Sequence, residues 1–586
     1  MDLGYGLVAV GGVVVIVAAT AFGRRLGVAA PLLLVLVGIG YSFIPGVPPI
    51  EVEPEIILLG VLPPLLYAAA IQLPVVDFRR NFGPITALSV VLVLVSAFIA
   101  GTVLFFLLPG VDYATAIALG AVISPPDVVA ATAIGKRLGL PPRLLSILEG
   151  EGLVNDATAL TMFRSAIAAS AALVASGGFD IWSAVGDFGF SVVFAVAIGL
   201  VTGVIGVYIR RRLDQPVLDT AISFAVPFIA YLPAEAIHAS GVIAVVTAGI
   251  YSGHQSARLS PQARVSERIN WQTLQFVLEH GVFLLMGAQL AGIVAEIEAE
   301  SVPWHQAVAL GLLAAAILMV VRFAFVWPLL FAVRRGERIS ERRAKRAAAI
   351  SRLVRIEREG LSPRFTRRLD RWRLRAERQQ NDIAQLRAEG LGWRGAVVMG
   401  WAGMRGVVTL AAAQSLPRDT ADYEQLVLIA FTVAITTLLL QGGTLPLVIR
   451  WTGIRGTDRA ADHRSLATLL DEMESAGLAV CDEPQLRLPD GSPIDPEVVE
   501  RVRRDTTLAS DAAWERAEHG DDVDGILRSP HQQYRKLRRE VLAAERSVLL
   551  DARARGAYPS RVLQQAQALL DLEETRLAQA EAGDAH

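Results

Sequence analysis

The chain has 586 residues, 53% of them hydrophobic and only 19% charged, with a mean hydropathy of +0.45. These values exclude a disordered or collagen-like chain and argue against a purely soluble one. A net charge of −2 supplies no global field for nucleic acid, and the single cysteine, Cys481, excludes a disulfide framework or a Cys-rich metal or iron–sulfur site.

The averages conceal a division. Residues 1–333 hold 35 of the 112 Asp, Glu, Lys and Arg residues, and the other 253 residues hold 77. The expected domains are therefore an apolar body at 1–333 and 394–450, a charged loop at 334–393 and a charged tail at 451–586.

Apolar runs of about 17–25 residues can cross a bilayer as helices. Thirteen occur in chain order, near 5–22, 28–44, 56–72, 84–108, 114–134, 146–175, 185–209, 217–235, 238–253, 272–295, 305–333, 394–416 and 424–450. Runs eight and nine nearly merge, so a count of twelve stays open. The first has neither a basic region before it nor a small-residue cleavage signal, and reads as a retained span.

Loop charges favour thirteen. Alternate loops carry Arg24 and Arg25; Arg79 and Arg80; Lys136, Arg137 and Arg143; Arg210, Arg211 and Arg212; Arg258, Arg264 and Arg268; and then the basic stretch 334–393. The intervening loops carry almost no Lys or Arg, Arg418 being the exception. This is the positive-inside pattern, with the N-terminus outside and the C-terminus cytoplasmic. Thirteen spans permit two inverted six-helix repeats around a linker helix, as in many secondary transporters.

In 334–393, Lys and Arg outnumber Asp and Glu more than two to one. The segment reads as a solvated cytoplasmic helical pair near anionic lipid. The tail reads as helices near 461–477, 496–508, 530–555 and 558–582, with a break at Tyr558-Pro559. It holds no phosphate loop, metal-spaced His cluster or nucleophile elbow. No enzymatic chemistry, cofactor or nucleic-acid partner is expected, and the tail reads as regulatory or dimer-stabilising.

A charge at mid-bilayer costs about 2.5–3.5 kcal/mol or more. Five such residues stand out: Asp127 in span 5, Glu151 and Asp156 in span 6, Arg322 in span 11 and Arg405 in span 12. Span 5 is interrupted by Ser124-Pro125-Pro126 just before Asp127, and span 12 by Gly403-Met404-Arg405-Gly406. Paired broken helices at equivalent places in two halves point to a transport site. Arg405 suits the exposed carbonyl ends of the break. On span 6, Glu151 and Asn155 share a face, whereas Asp156 is turned about 100° from Asn155. Glu151 then needs a buried cationic partner, either Arg322 or Arg405. Asp156 is left free to hold a proton or a metal cation. With Asp127, hydroxyl, amide and carbonyl oxygens, it makes a hard-oxygen site for an alkali ion.

Elsewhere, Arg164 reads as a snorkelling residue. His238, His254, His280 and His305, near span ends, read as solvated or satisfied. Glu279 is a candidate acid of a cytoplasmic funnel.

These residues resemble the monovalent cation:proton antiporters of the CPA1 group, the branch of bacterial NhaP-type and animal sodium/proton exchangers, in its long bacterial form. Gly150-Glu151-Gly152-Leu153-Val154-Asn155-Asp156-Ala157 looks like the family's GESLLNDA segment, and Ser124-Pro125-Pro126-Asp127 like its SPTDPVA segment. Arg322 with Pro328 looks like the helix bearing the partner of the Glu, and Gly403-Met404-Arg405-Gly406 like the GLRG break. The likeness covers about 1–450 without the basic loop.

The resemblance implies an all-α polytopic membrane protein with crossed broken helices 5 and 12. It implies a homodimer in which a moving core carries the ion. It further implies Asp156 as the shared cation and proton site and one-for-one, electroneutral exchange. Asp127 is expected to bind the cation with Asp156, and Asn155, Ser124, Pro126 and Gly152 to support the site. Gly152 stands where Ser is common and Pro126 where Thr is common, so two hydroxyls that can assist coordination in relatives are missing. The expected activity is exchange of Na+, or of Li+ or K+, for H+ across the plasma membrane, serving cytoplasmic pH and sodium homeostasis. A potassium-selective exchanger of the same fold, and a membrane-embedded sensor signalling through its tail, stay open as alternatives.

Overall fold

The computed structural model describes residues 3–26, 28–45, 50, 52–176, 181–213, 215–299, 304–354, 382, 386, 391–454, 456, 459–482, 492–519, 530–554, 566–567, 569–574 and 577. It divides into two compact units, Met1–Arg455 and Gly456–His586.

Each of the thirteen apolar runs contains helix. The first four are α1 (Leu3–Leu26), α2 (Ala30–Ser42), α3 (Ile56–Gln72) and α4 (Phe82–Leu107). The fifth is split into α5 (Tyr113–Ile123) and α6 (Val129–Arg137). Then come α7 (Pro142–Ser176), α8 (Ile181–Arg210), α9 (Pro216–Ala236), α10 (Gly241–Gln255), α11 (Pro261–Ala288) with α12 (Leu290–Ala299), and α13 (Trp304–Val354). The twelfth is split into α14 (Trp393–Trp401) and α15 (Val407–Gln414), and α16 (Tyr423–Thr452) closes the unit. Six of the described helices are long and apolar enough to cross a membrane. Their outward faces are apolar, with Val193, Val201, Val320 and Phe331 all well exposed. Lipid rather than water suits such a surface.

Two groups of helices can be distinguished by packing. One contains α1–α3 and α8–α11; the other contains α4–α7 and α13–α16. Small residues permit the closest approaches. A Cβ on Gly101 of α4 would lie 2.7 Å from the Ala116 carbonyl oxygen of α5, so these two backbones touch.

Several boundaries differ from the sequence reading. Runs eight and nine are separate helices. The chain turns at His238 (φ 60°), and the Ser240 hydroxyl caps α10 at the Ile243 amide. Helix α11 starts eleven residues before the expected run, with Pro261 in its first turn and Ser260 as its cap. Helix α13 continues past residue 333 to Val354, because good helix formers follow Pro328 and nothing stops the helix. Position 334 is therefore no structural boundary. Of the basic loop, 355–390 apart from 382 and 386 lies outside the described residues.

Two cations assigned to loops are buried. Arg143 donates to the Asn81 side chain (3.1 Å) and the Leu386 carbonyl (3.1 Å) and pairs with Glu337 (2.6 Å). Arg210 is bidentate to Asp219 (2.9 and 2.8 Å) and stands 2.8 Å from Glu267. The Ser223 hydroxyl donates to Glu267 and accepts from the Trp271 indole N–H, so the cluster ties α8, α9 and α11 together.

The second unit contains α17 (Arg459–Cys481), α18 (Pro496–His519) and α19 (Pro530–Ala554). The first two pack together, joined by an Arg503–Asp482 ion pair. Arg546 of α19 pairs with Asp571 (2.9 Å) and Glu574 (2.8 Å), and Arg538 with Glu573. The expected break at Tyr558-Pro559 lies outside the described residues.

Candidate functional site

Helix α5 stops because Pro125 and Pro126 lack amide hydrogens and clash with a preceding turn. The chain resumes as α6 after Asp127 accepts from the Val129 amide (2.8 Å). The second gap, Ala402–Gly406, runs between α14 and α15. The two gaps meet: the Asp127 amide donates to the Met404 carbonyl at 2.6 Å. A Cβ on Gly406 would overlap the Asp127 carboxylate, so glycine is required for this approach. The carboxylate thus sits against the starts of both α6 and α15, where helix dipoles favour an anion.

Arg405, 1% exposed, serves the opposite ends. Its guanidinium donates to the Ile123 carbonyl (3.1 Å), the Ser124 carbonyl (3.2 Å) and the Gly403 carbonyl, while its amide donates to the Thr437 hydroxyl (2.9 Å). A fixed cation therefore faces the carbonyl end of α5.

Of the two arginines left open as partners for Glu151, the geometry selects Arg322. Its Nη atoms donate to the two carboxylate oxygens at 2.5 and 3.0 Å, and its Nε to the Met399 carbonyl at 3.0 Å. Both side chains are sealed from solvent, at 1% and 0% exposure.

Helical geometry turns Asp156 the other way, into a cavity of about 290 Å³ that Asp127 also lines. Neither carboxylate has an ion-pair partner among the described residues. Glu279 and Gln275 of α11 and Gln72 of α3 form the facing wall. Gln72 donates to Gln275 (2.9 Å), and Gln275 donates to Glu279 (3.4 Å). Glu279, singled out from the sequence, therefore shares the cavity with the two aspartates. Lys136 and Glu149, paired at 2.8 Å, also line it, and Lys136 is 65% exposed at this end.

The expected supporting residues play different parts. Asn155 donates to the Pro126 carbonyl (2.6 Å) and braces the break. The Ser124 hydroxyl donates to the Gly120 (2.9 Å) and Val93 (3.2 Å) carbonyls. Neither Ser124 nor Asn155 lines the cavity; both brace the chain just behind it. Gly152 and Pro126 do line it, but a Cβ on Gly152 would run into the Val128 side chain. Val128 fills the space that a hydroxyl at 152 would need.

Arg164, half-exposed, pairs with Glu235 at 2.6 Å and so joins α7 to α9 across the two helix groups. Glu235 also accepts from the Gly241 amide (3.0 Å).

The sequence profile described as sodium/hydrogen exchanger, transmembrane, matches residues 12–451. An uncharacterized Na(+)/H(+) exchanger of Mycobacterium tuberculosis (strain ATCC 25618 / H37Rv) is 27% identical over 585 residues, covering 98% of this chain and 96% of that protein. A sodium, potassium, lithium and rubidium/H(+) antiporter of Bacillus pumilus (strain SAFR-032) is 28% identical over 437 residues, 71% of this chain and 57% of that protein. Among solved structures, the sodium proton antiporter MjNhaP1 from Methanocaldococcus jannaschii has a similar fold. Its TM-score is 0.53 at 15% identity, over 75% of this chain and 98% of that one.

Proposed function

The chain belongs to the sodium/hydrogen exchanger family of multi-pass monovalent cation:proton antiporters, and from that premise we propose that it exchanges Na+ for H+ by alternating access, with Asp156 holding either ion in turn. The observation that carries this reading is the isolation of Asp156. It shares a cavity with Asp127, while both buried arginines nearby are committed, Arg322 to Glu151 and Arg405 to backbone carbonyls. A carboxylate in that setting takes up a cation or a proton, and the two compete for it.

Charge supports one-for-one, electroneutral exchange. The five residues singled out at mid-bilayer, Glu151, Asp127, Asp156, Arg322 and Arg405, together carry −1, and one alkali ion or one proton brings that group to neutrality while the Glu279 of the same cavity is protonated. The empty site retains a net charge that is costly to move through a dry passage. Lys136, Glu149 and Glu279 line an approach that corresponds to the cytoplasmic side if the N-terminus is outside, as the loop charges favour. The proposed assembly is a plasma-membrane homodimer with thirteen crossings in two inverted repeats. Anionic lipid is the proposed neighbour of its basic segment.

A broader ion range is the second reading. It is supported by the name of the Bacillus pumilus relative and by the missing hydroxyls at 126 and 152. Everted vesicles assayed with Na+, Li+ and K+ separate the readings. In the same vesicles Asp156→Asn should abolish pH-dependent exchange while the protein remains folded; wild-type exchange by that variant would refute the assignment.

A further inference from the structure

We infer that Thr409 supplies a neutral oxygen ligand to the transported alkali cation, in place of the hydroxyls that this chain lacks at positions 126 and 152. The inference rests on the antiport reading and adds a specificity-determining residue to it.

Thr409 lies in the first turn of α15, three residues after the Gly406 that touches Asp127. It lines the same cavity as Asp127 and Asp156, and it is only 2% exposed. A threonine inside a helix ordinarily returns its hydroxyl to the carbonyl three or four residues earlier. Thr158 does so to Val154, Thr161 to Ala157, and Thr437 to Val433 and Ala434. Thr409 makes no such bond. Four residues before it stands Arg405, which belongs to the non-helical gap rather than to a preceding turn. Its hydroxyl has no partner among the described residues, yet it is not one of the sealed, unpartnered polar atoms of the interior. A buried hydroxyl with no protein partner takes its hydrogen bonds or ligands from whatever occupies the cavity. At a cavity wall shared with two carboxylates, its lone pairs are available to a hard cation, which binds oxygen.

The neighbouring oxygens are held in hydrogen bonds that fix them within the wall, whereas that of Thr409 is not. The Ser124 hydroxyl bonds two carbonyls, the Pro126 carbonyl accepts from Asn155, and Val128 closes over Gly152. Thr132, also in the cavity wall, donates to the Val129 carbonyl.

The test compares Thr409→Val, which keeps the shape, with Thr409→Ser, which keeps the hydroxyl, in everted vesicles containing the full-length chain. Thr409→Val should raise the KM for the exchanged cation about three- to tenfold, the worth of one hydrogen-bond-strength oxygen. It should change the ratio of Na+ to K+ to Li+ responses and leave the melting temperature near wild type. Thr409→Ser should restore both KM and ion preference. A Thr409→Val protein with unaltered KM and ion ratios overturns the inference, as does a Thr409→Ser protein that fails to restore them. Wild-type vesicles without cation-dependent proton movement would instead overturn the antiport reading beneath it.

Discussion

Replacing Glu151 by Gln keeps the shape of the side chain but leaves Arg322 as a buried guanidinium without an anionic partner, held by the Met399 carbonyl and a neutral amide oxygen. Arg405 lies within Coulombic reach of both residues, so a neutral amide at position 151 also removes the negative charge near two arginines. Breaking a sealed pair from one side costs about 3–5 kcal/mol. Unfolding entropy of about 2.1 cal/mol/K per residue gives about 1 kcal/mol/K for a unit running Met1–Arg455. The expected fall in melting temperature is therefore about 4 °C, measured by thermal unfolding of the purified protein in detergent. Removing both charges, as Glu151→Gln with Arg322→Met, should recover much of the loss because no buried charge is left without its partner. A single variant that melts with the wild type, or a double variant that melts below the single, would refute the reasoning.

Two further outcomes follow from the geometry. Gly406→Ala places a methyl group where the Asp127 carboxylate now lies, so the carboxylate must move and cation KM should rise at least tenfold in vesicle assays. Unchanged KM would show that the contact is not needed. Deleting the chain from residue 457 onward removes the second compact unit, and vesicles with the remainder should still exchange ions. Loss of exchange by folded, membrane-inserted truncated protein would assign the tail a direct part in transport.

The breaks at Pro125-Pro126 and at Gly403–Gly406 were legible because proline and glycine act locally. The opposite directions of Glu151 and Asp156 were legible too, since a helix fixes the angle between them. What escaped were pairings made by tertiary structure. Arg210 reads as a loop cation because Asp219 and Glu267, which hold it, come from two other helices. The pairing of Arg164 escaped for the same reason, its partner Glu235 belonging to α9. The presence of Ser124 in the sequence could not reveal that its hydroxyl would turn to two carbonyls, nor could Gly152 reveal that Val128 would cover it. Thr409 carried a faint signal: it follows the Gly-Met-Arg-Gly break so closely that the carbonyl four residues before it belongs to the break and not to a helical turn.

Helix α13 has a mechanical consequence. It passes from Arg322 through the end of the apolar run and into the basic segment without a joint, ending at Val354. At a rise of about 1.5 Å per residue, the guanidinium that holds Glu151 and the far end of that rod are about 48 Å apart. Axial travel at one end must be matched at the other, apart from whatever bending Pro328 permits. The basic segment is therefore mechanically coupled to the buried pair: a displacement of one is passed to the other through the helix.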